Sequence, residues 1–296
     1  MKKFFKLSLS DKIFILVDYA ILLFLLLITA YPLLYVIMSS VAAGPQSMTW
    51  YLIPKRFSWV GYESIIEYKD LWTGYANSLI NMALGTVLTL AMTMCAAYPL
   101  SRPEFKFRKF AMPIFMFTMY FGGGLIPTYL LIRDLGMLNT RWALIIPGCL
   151  SVYNMIVTRT YIQSSIPNDI RESASIDGCG NIRYLISMVL PLSKPILAVI
   201  GLFTAVGIWN SYFNAILYIP MRRDLQPLGV ILREILVTGT DSVELMDDLE
   251  YMMKQQERKN VMKYAVIVAS SLPVMMIYPF IQKYFVKGMM IGSVKG

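Results

Sequence analysis

The sequence predicts an all-α membrane protein with six transmembrane helices. Three observations carry that expectation. Of 296 residues, 57% are hydrophobic and 15% are charged, less charge than a soluble domain of this length carries. Several apolar stretches reach the roughly 20 residues needed to cross a bilayer core. The basic residues gather in alternate connecting segments, as cytoplasmic loops do.

The first span is placed at 14–40, after the basic start MKKFFK. Its apolar run is longer than the roughly 7–15 residues of a secretory signal core, and no small-residue cleavage site follows, so it reads as a retained helix. Asp18 lies about one turn inside it, at an interfacial depth. The second span is 75–99. The third, 111–132, and the fourth, 141–161, contain Pro113, Pro127 and Pro147 and the run Gly122, Gly123, Gly124. Membrane helices tolerate such residues where neighbours satisfy the freed backbone groups. The FGGG run reads as a close-packing site, with a hinge as the alternative. The fifth span is 195–219 and the sixth 261–282. A cytoplasmic N-terminus over 1–13 therefore precedes a single transmembrane domain over 14–296.

Charge orients the chain. With the N-terminus inside, segments 1–13, 100–110, 159–194 and 283–296 are cytoplasmic and carry 15 basic and 5 acidic residues. The outer segments carry 12 of each. This bias accounts for the net charge of +9 without any nucleic acid as partner. Both termini are expected in the cytoplasm. Two outer segments are long. Residues 41–74 hold Trp50, Tyr51, Phe57, Trp59, Tyr62, Tyr68 and Trp72, and residues 220–260 include the acidic run DSVELMDDLEYMM, read as a solvated amphipathic helix, with a docking surface for an extracellular partner as the alternative.

Several chemistries lose support. The chain has no histidine, which removes the usual general base and the commonest metal ligand. Cys95, Cys149 and Cys179 are an odd, scattered set with no disulfide or metal spacing. No metal site is expected. There is no G-x-x-x-x-G-K-[ST] nucleotide loop. Asp247-Asp248 has no base or nucleophile beside it, so a membrane enzyme is disfavoured. Ion-coupled secondary transport usually uses carboxylates or histidines within the membrane, and Asp18 alone supports it weakly.

The informative segment is RESASIDGCGNIRYLISMVLPLSKP, Arg171–Pro195, between spans four and five. Pro167 suits the first turn of a helix through NDIRESASI. Asp177-Gly178 ends that helix, and Asn181 can N-cap a second one running to Pro191. Two short helices in a cytoplasmic loop present Ser173, Ala174, Ile176, Gly178 and Cys179 as a small knob. Such a knob fits a groove on another protein.

The spacing Glu172, Ser173, Ala174, then Gly178, then Leu190-Pro191 resembles the EAA loop of ABC importer permeases. That pattern reads E-A-A, three residues, G, nine residues, I-x-L-P. Ser173 and Met188 are mild departures, one still small and the other still apolar. The likeness extends over most of the chain. YFGGGLIPTYLLIRDLGMLNT, IPGCLSVYNMIVTRTYIQSSIP, LPLSKPILAVIGLFTAVGIWNSYFNAILYI and the tail YFVKGMMIGSVKG look like carbohydrate-type permeases of the LplC/YtcP kind, relatives of the maltose permease MalG.

The resemblance implies a division of labour. Glu172, Ser173, Ala174, Asp177 and Gly178, with Leu190 and Pro191 closing the motif, would form a coupling helix seated in a cleft of an ATPase. Coupling would run through residues 168–181 of the 162–194 loop. Two ABC ATPase subunits would hold ATP and Mg, so this chain would bind no cofactor and catalyse no reaction itself. A second homologous permease would complete a heterodimer, and an extracellular solute-binding lipoprotein would deliver oligosaccharides or polysaccharide fragments. The setting would be a bacterial cell membrane.

Span five contains a candidate substrate path. Trp209, Asn210, Tyr212, Phe213 and Asn214 fall within about one and a half turns. Amides at membrane depth normally face protein or water, and aromatic faces beside amides suit sugars. The competing reading is helix packing. Asn77, Asn81, Tyr153 and Asn154 are weaker path candidates. A permease for a non-sugar solute would share the same loop.

Overall fold

The computed structural model describes residues 8–43, 53–54, 56–237, 258, 260–277 and 279. The run DSVELMDDLEYMM, Trp50, Tyr51, the tail 284–296 and the end of the sixth expected span lie outside the described residues. Among the described residues the chain is helical, with one isolated antiparallel bridge between Ala42 and Phe57. It divides into two compact units, Met1–Tyr68 with Ile235–Ser271, and Lys69–Glu234 with Leu272–Gly296.

The first unit holds α1 (Leu9–Ser40) and α2 (Val60–Glu67). It also holds most of a helix at Asn260–Ile277. Ser8 caps α1 by accepting from the Asp11 amide at 3.2 Å. Leu22–Leu27 are all at least half exposed, as a helix that faces lipid requires. α2 lies close to the Asn260–Ile277 helix because Gly61 has no side chain. A Cβ there would stand 2.9 Å from Val261 Cγ1. Tyr62 and Ser40 share a hydrogen bond of 2.8 Å, and Ser40 donates to the Ile37 carbonyl.

The second unit is built on α3 (Lys69–Ser101). Its other helices are α4 (Arg108–Tyr120), α5 (Leu125–Asp134), α6 (Trp142–Ile145), α7 (Val152–Ser165), α8 (Asn168–Ile176) and α9 (Asn181–Tyr184). A π-helical turn at Leu185–Val189 leads into α10 (Leu190–Leu192), followed by α11 (Lys194–Trp209), α12 (Phe213–Tyr218) and α13 (Leu228–Val237). α11 packs along α3 through small residues. A Cβ at Gly85 would lie 2.6 Å from Ile208 Cδ1, and one at Gly201 would lie 3.5 Å from Leu90.

Three helices are long and apolar enough to cross a membrane: Leu9–Ser40, Lys69–Ser101 and Asn260–Ile277. Two bent pairs raise the number to five among the described residues. The expected span 111–132 is one of them, with α4 and α5 meeting at 113°. The bend falls at Phe121–Gly124, where Gly124 has φ +85°. Among the described residues, the close packing expected there is not observed. A Cβ at Gly122 or Gly124 would meet nothing within 4 Å, and one at Gly123 only Pro127 at 3.7 Å. The expected span 141–161 is divided into α6 and α7 around Pro147 and Gly148. Proline removes a helix donor and glycine is a poor helix former. At 14 residues, α7 extends about 21 Å. Span 195–219 is likewise two helices, α11 and α12, with a break at 210–212.

Polar side chains lock the start of α3. Asn77 and Asn81 are 4% and 3% exposed. Arg141 donates to Asn77 Oδ1 at 2.7 Å and to Asn81 Oδ1 at 2.8 Å. The Asn77 amide donates to the carbonyls of Asp224 at 2.7 Å and Gln226 at 3.1 Å. Ser78 accepts from the Leu228 amide at 2.8 Å. Outside this cluster, Arg223 bridges Asp70 at 2.9 Å and Glu234 at 3.0 Å. Two Arg222 hydrogen bonds at 2.8 Å help to hold the Asp224 carboxyl below the usual carboxylate range.

Asn77→Leu strips partners from one half-buried guanidinium and two carbonyls. Each orphaned group costs about 1–3 kcal/mol, so a clear fall in the melting midpoint of the purified chain in detergent is expected. Asn81→Leu removes a single acceptor and is expected to lower it less.

Candidate functional site

The segment between α7 and α11 folds as a helix, a turn and a second helix. α8 starts after Pro167, which occupies the cap position with φ −58° and ψ 143°. The turn needs Gly178, whose φ of +69° lies in the left-handed region that glycine enters without strain. The amide of Asp177 donates to Ser173, that of Gly178 to Ser175 and that of Cys179 to Ala174, so the last carbonyls of α8 are satisfied. Among the described residues, a Cβ at Gly178 would meet nothing within 4 Å.

Asn181 does not cap the second helix. Gly180 holds that place, and Asn181 Oδ1 instead accepts from Arg171 Nη2 at 2.7 Å. The second helix also runs past the expected stop at Pro191. It reaches Leu192 by way of the π-helical turn and then bends by 78° into α11. Pro191 sits near the start of α10, where a missing donor matters little.

The expected knob residues separate into two faces. Glu172, Ser173, Asp177 and Gly178 are exposed, while Ala174 is buried against the neighbouring core. Ile176 and Ile182 are 88% and 75% exposed, an apolar tip that polar surface normally avoids. Leu190 is half-buried and Pro191 exposed.

The knob stands on a core at the end of α3. Met94, Ala97, Tyr98 and Leu100 pack with Met155, Ile162, Ile166, Ala174, Tyr184 and Val189. Arg159 donates to the Leu100 carbonyl at 2.9 Å and Gln163 to that of Ser101 at 3.1 Å, so α7 supplies donors to the open end of α3.

Trp209 parts company with the other path candidates. It is 5% exposed, and its ring meets Tyr75 edge-on at 5.6 Å. Asn210, Tyr212, Phe213 and Asn214 are exposed at the break between α11 and α12. α13 closes on that break because Gly229 is small. A Cβ on it would stand 3.1 Å from Tyr212 Cβ and 3.2 Å from the Ser211 carbonyl. Of the weaker candidates, Asn77 and Asn81 belong to the Arg141 cluster, Tyr153 is 63% exposed and Asn154 is half-buried. Arg141 was not singled out in the sequence. A lone cation opening an apolar stretch was the available signal.

No protein-family model matches the chain. It is 37% identical over 271 residues to protein LplC of Bacillus subtilis (strain 168), covering 91% of this chain and 90% of LplC. It is 37% identical over 289 residues to the polygalacturonan/rhamnogalacturonan transport system permease protein YtcP of the same organism, covering 97% of this chain and 100% of YtcP. The fold matches the crystal structure of a bacterial ABC transporter involved in the import of the acidic polysaccharide alginate. There the TM-score is 0.85 and the identity 31%, over 94% of this chain and 99% of that one. The apolar helices and this likeness over nearly full length make the protein a multi-pass membrane protein and a member of the family of carbohydrate ABC transporter permeases.

Proposed function

We propose that the chain is the membrane-spanning permease subunit of an ATP-driven importer of oligosaccharides or polysaccharide fragments. The observation that carries the reading is the exposed knob around Gly178, with Ile176 at its tip, in a chain alike over 94% of its length to an alginate importer subunit. Residues 168–181 seat in a cleft of an ABC ATPase. When ATP closes the ATPase dimer, the cleft carries the knob with it. α7 and α11 flank the knob in sequence, so its motion is passed to the spans, and the pore alternates between inward- and outward-facing states.

The partners follow from that role. ATP and Mg reside on two ATPase subunits, a second homologous permease completes the pore, and an extracellular binding lipoprotein delivers substrate. The charge bias puts both termini and the knob in the cytoplasm of a bacterial cell. The whole of 14–296 acts as one permease domain with six spans, the fourth supplied by α6 and α7 together. Asn210, Tyr212, Phe213 and Asn214 line the substrate path, and Trp209 braces them from behind through Tyr75.

Purification of the tagged chain in mild detergent, with mass spectrometry of what accompanies it, tests the assembly. An ATPase and a second permease are expected. A chain that runs alone even after crosslinking through Cys179 overturns the reading. Uptake is measured with oligosaccharides from partial digests of polygalacturonan and alginate.

Gly178→Asp is expected to abolish uptake while the chain remains inserted at normal levels, because a side chain enters the space the cleft occupies. Normal uptake at normal expression would remove the coupling role. Phe213→Ala is expected to raise the KM for oligosaccharide uptake with unchanged complex yield. Trp209→Ala empties a buried aromatic site, at a cost of about 3–5 kcal/mol, and is expected to lower yield and uptake together.

A further inference from the structure

Four aromatic and cationic side chains, Tyr98, Arg102, Arg171 and Tyr184, tie the knob to α3. Tyr184, at the end of α9, is 0% exposed. The Arg102 guanidinium, one residue beyond α3, lies 4.9 Å from the centroids of both the Tyr98 and the Tyr184 rings. Arg171, from α8, lies 5.1 Å from the Tyr184 centroid. All three distances fall within the roughly 6 Å of an effective cation–π contact. Asn181 completes the junction. Its carbonyl accepts from Tyr98 Oη at 3.4 Å, and its side chain accepts from Arg171 at 2.7 Å.

The chemistry of the junction is unusual in what balances the charge. Among the described residues, neither Arg102 nor Arg171 has a carboxylate partner. Buried N–H groups of both guanidiniums, and the Tyr184 hydroxyl, have no hydrogen-bond partner among the described residues. Ring faces therefore hold Arg102, and a ring face together with the Asn181 side chain holds Arg171. A buried arginine kept only for packing would be better replaced by an apolar side chain of the same shape. Here two cations from different helices instead converge on one ring.

We propose that Arg102 is a positioning residue, which grips Tyr184 so that the knob and the end of α3 move as one body. The inference rests on the reading of residues 168–181 as the coupling loop. ATPase closure would then drive α3 directly, in addition to the spans that flank the knob in sequence. Without the grip, the knob would follow the ATPase while α3 lagged.

The test uses the complete complex with its ATPase subunits in lipid nanodiscs. Spin labels are placed on Cys95 in α3 and on Asp169→Cys in α8, with Cys149 and Cys179 replaced by Ser. In this parent the label distance is expected to be the same without nucleotide and with ATP plus vanadate. In Arg102→Met it is expected to split into a second population with ATP plus vanadate, while ATP hydrolysis continues at the parent rate. Arg102→Lys, which keeps a cation, and Tyr184→Phe, which keeps the ring, are expected to behave as the parent. If Arg102→Met does not assemble, Arg102→Gln, which removes the cation but keeps a polar side chain, is read in its place. A parent distance that changes with ATP, or an Arg102→Met distance that does not, overturns the grip and leaves the coupling loop standing. An Arg102→Met complex that loses yield and hydrolysis in parallel assigns the residue to packing. A wild-type chain that recovers no ATPase removes the coupling loop, and the inference with it.

Discussion

The larger unit depends on one constraint: α3 must carry polar groups at both ends, and each must find a partner inside the protein. A helix of 33 residues extends about 50 Å, longer than a hydrocarbon core of about 30 Å. Its middle is small and apolar, so α11 can lie close to it at Gly85 and Gly201. Its ends are fastened by different chemistry. Near Asn77 and Asn81 the fastening is directional hydrogen bonding around Arg141. Near Tyr98 it is guanidinium on aromatic ring.

The two fastenings suit different tasks. The amide cluster fixes several carbonyls at set distances, and its members share Arg141 and Asn77, so it defines a single geometry. The ring cluster has no acid to neutralise it among the described residues. Ring-face contacts tolerate small sliding, because the attraction depends mainly on distance to the centroid. Such a joint transmits force while accepting slight rotation, which is useful beneath a proposed coupling loop that follows a moving partner.

Two of the three breaks within the expected spans fall where proline or glycine removes backbone support, and each break has a different consequence. At Phe121–Gly124 the chain turns through 113° with open space around the glycines. At 146–151 the expected span becomes two short helices. At 210–212 there is no proline or glycine, and the break is instead closed over by α13 through Gly229. It leaves Asn210, Tyr212, Phe213 and Asn214 exposed, the arrangement the proposed substrate path requires.

Much of this could be read from the sequence because it is local. The length and apolarity of Leu9–Ser40 and Lys69–Ser101, the helix–turn–helix form of 168–184 and the need for Gly178 at its turn follow from composition and backbone preference within a few residues. The spacing of Glu172, Gly178 and Leu190-Pro191 also carried the family. What the sequence left open depends on partners far along the chain. Asn77 as a structural clamp required Arg141, 64 residues away. Trp209 as a brace required Tyr75, and the role of Tyr184 required Arg102. The sequence alone determined which segments are helical and apolar, since those properties belong to each segment. Only the tertiary structure decided which polar side chains are spent on holding helices together and which remain free for a ligand or partner, since that depends on what each one meets.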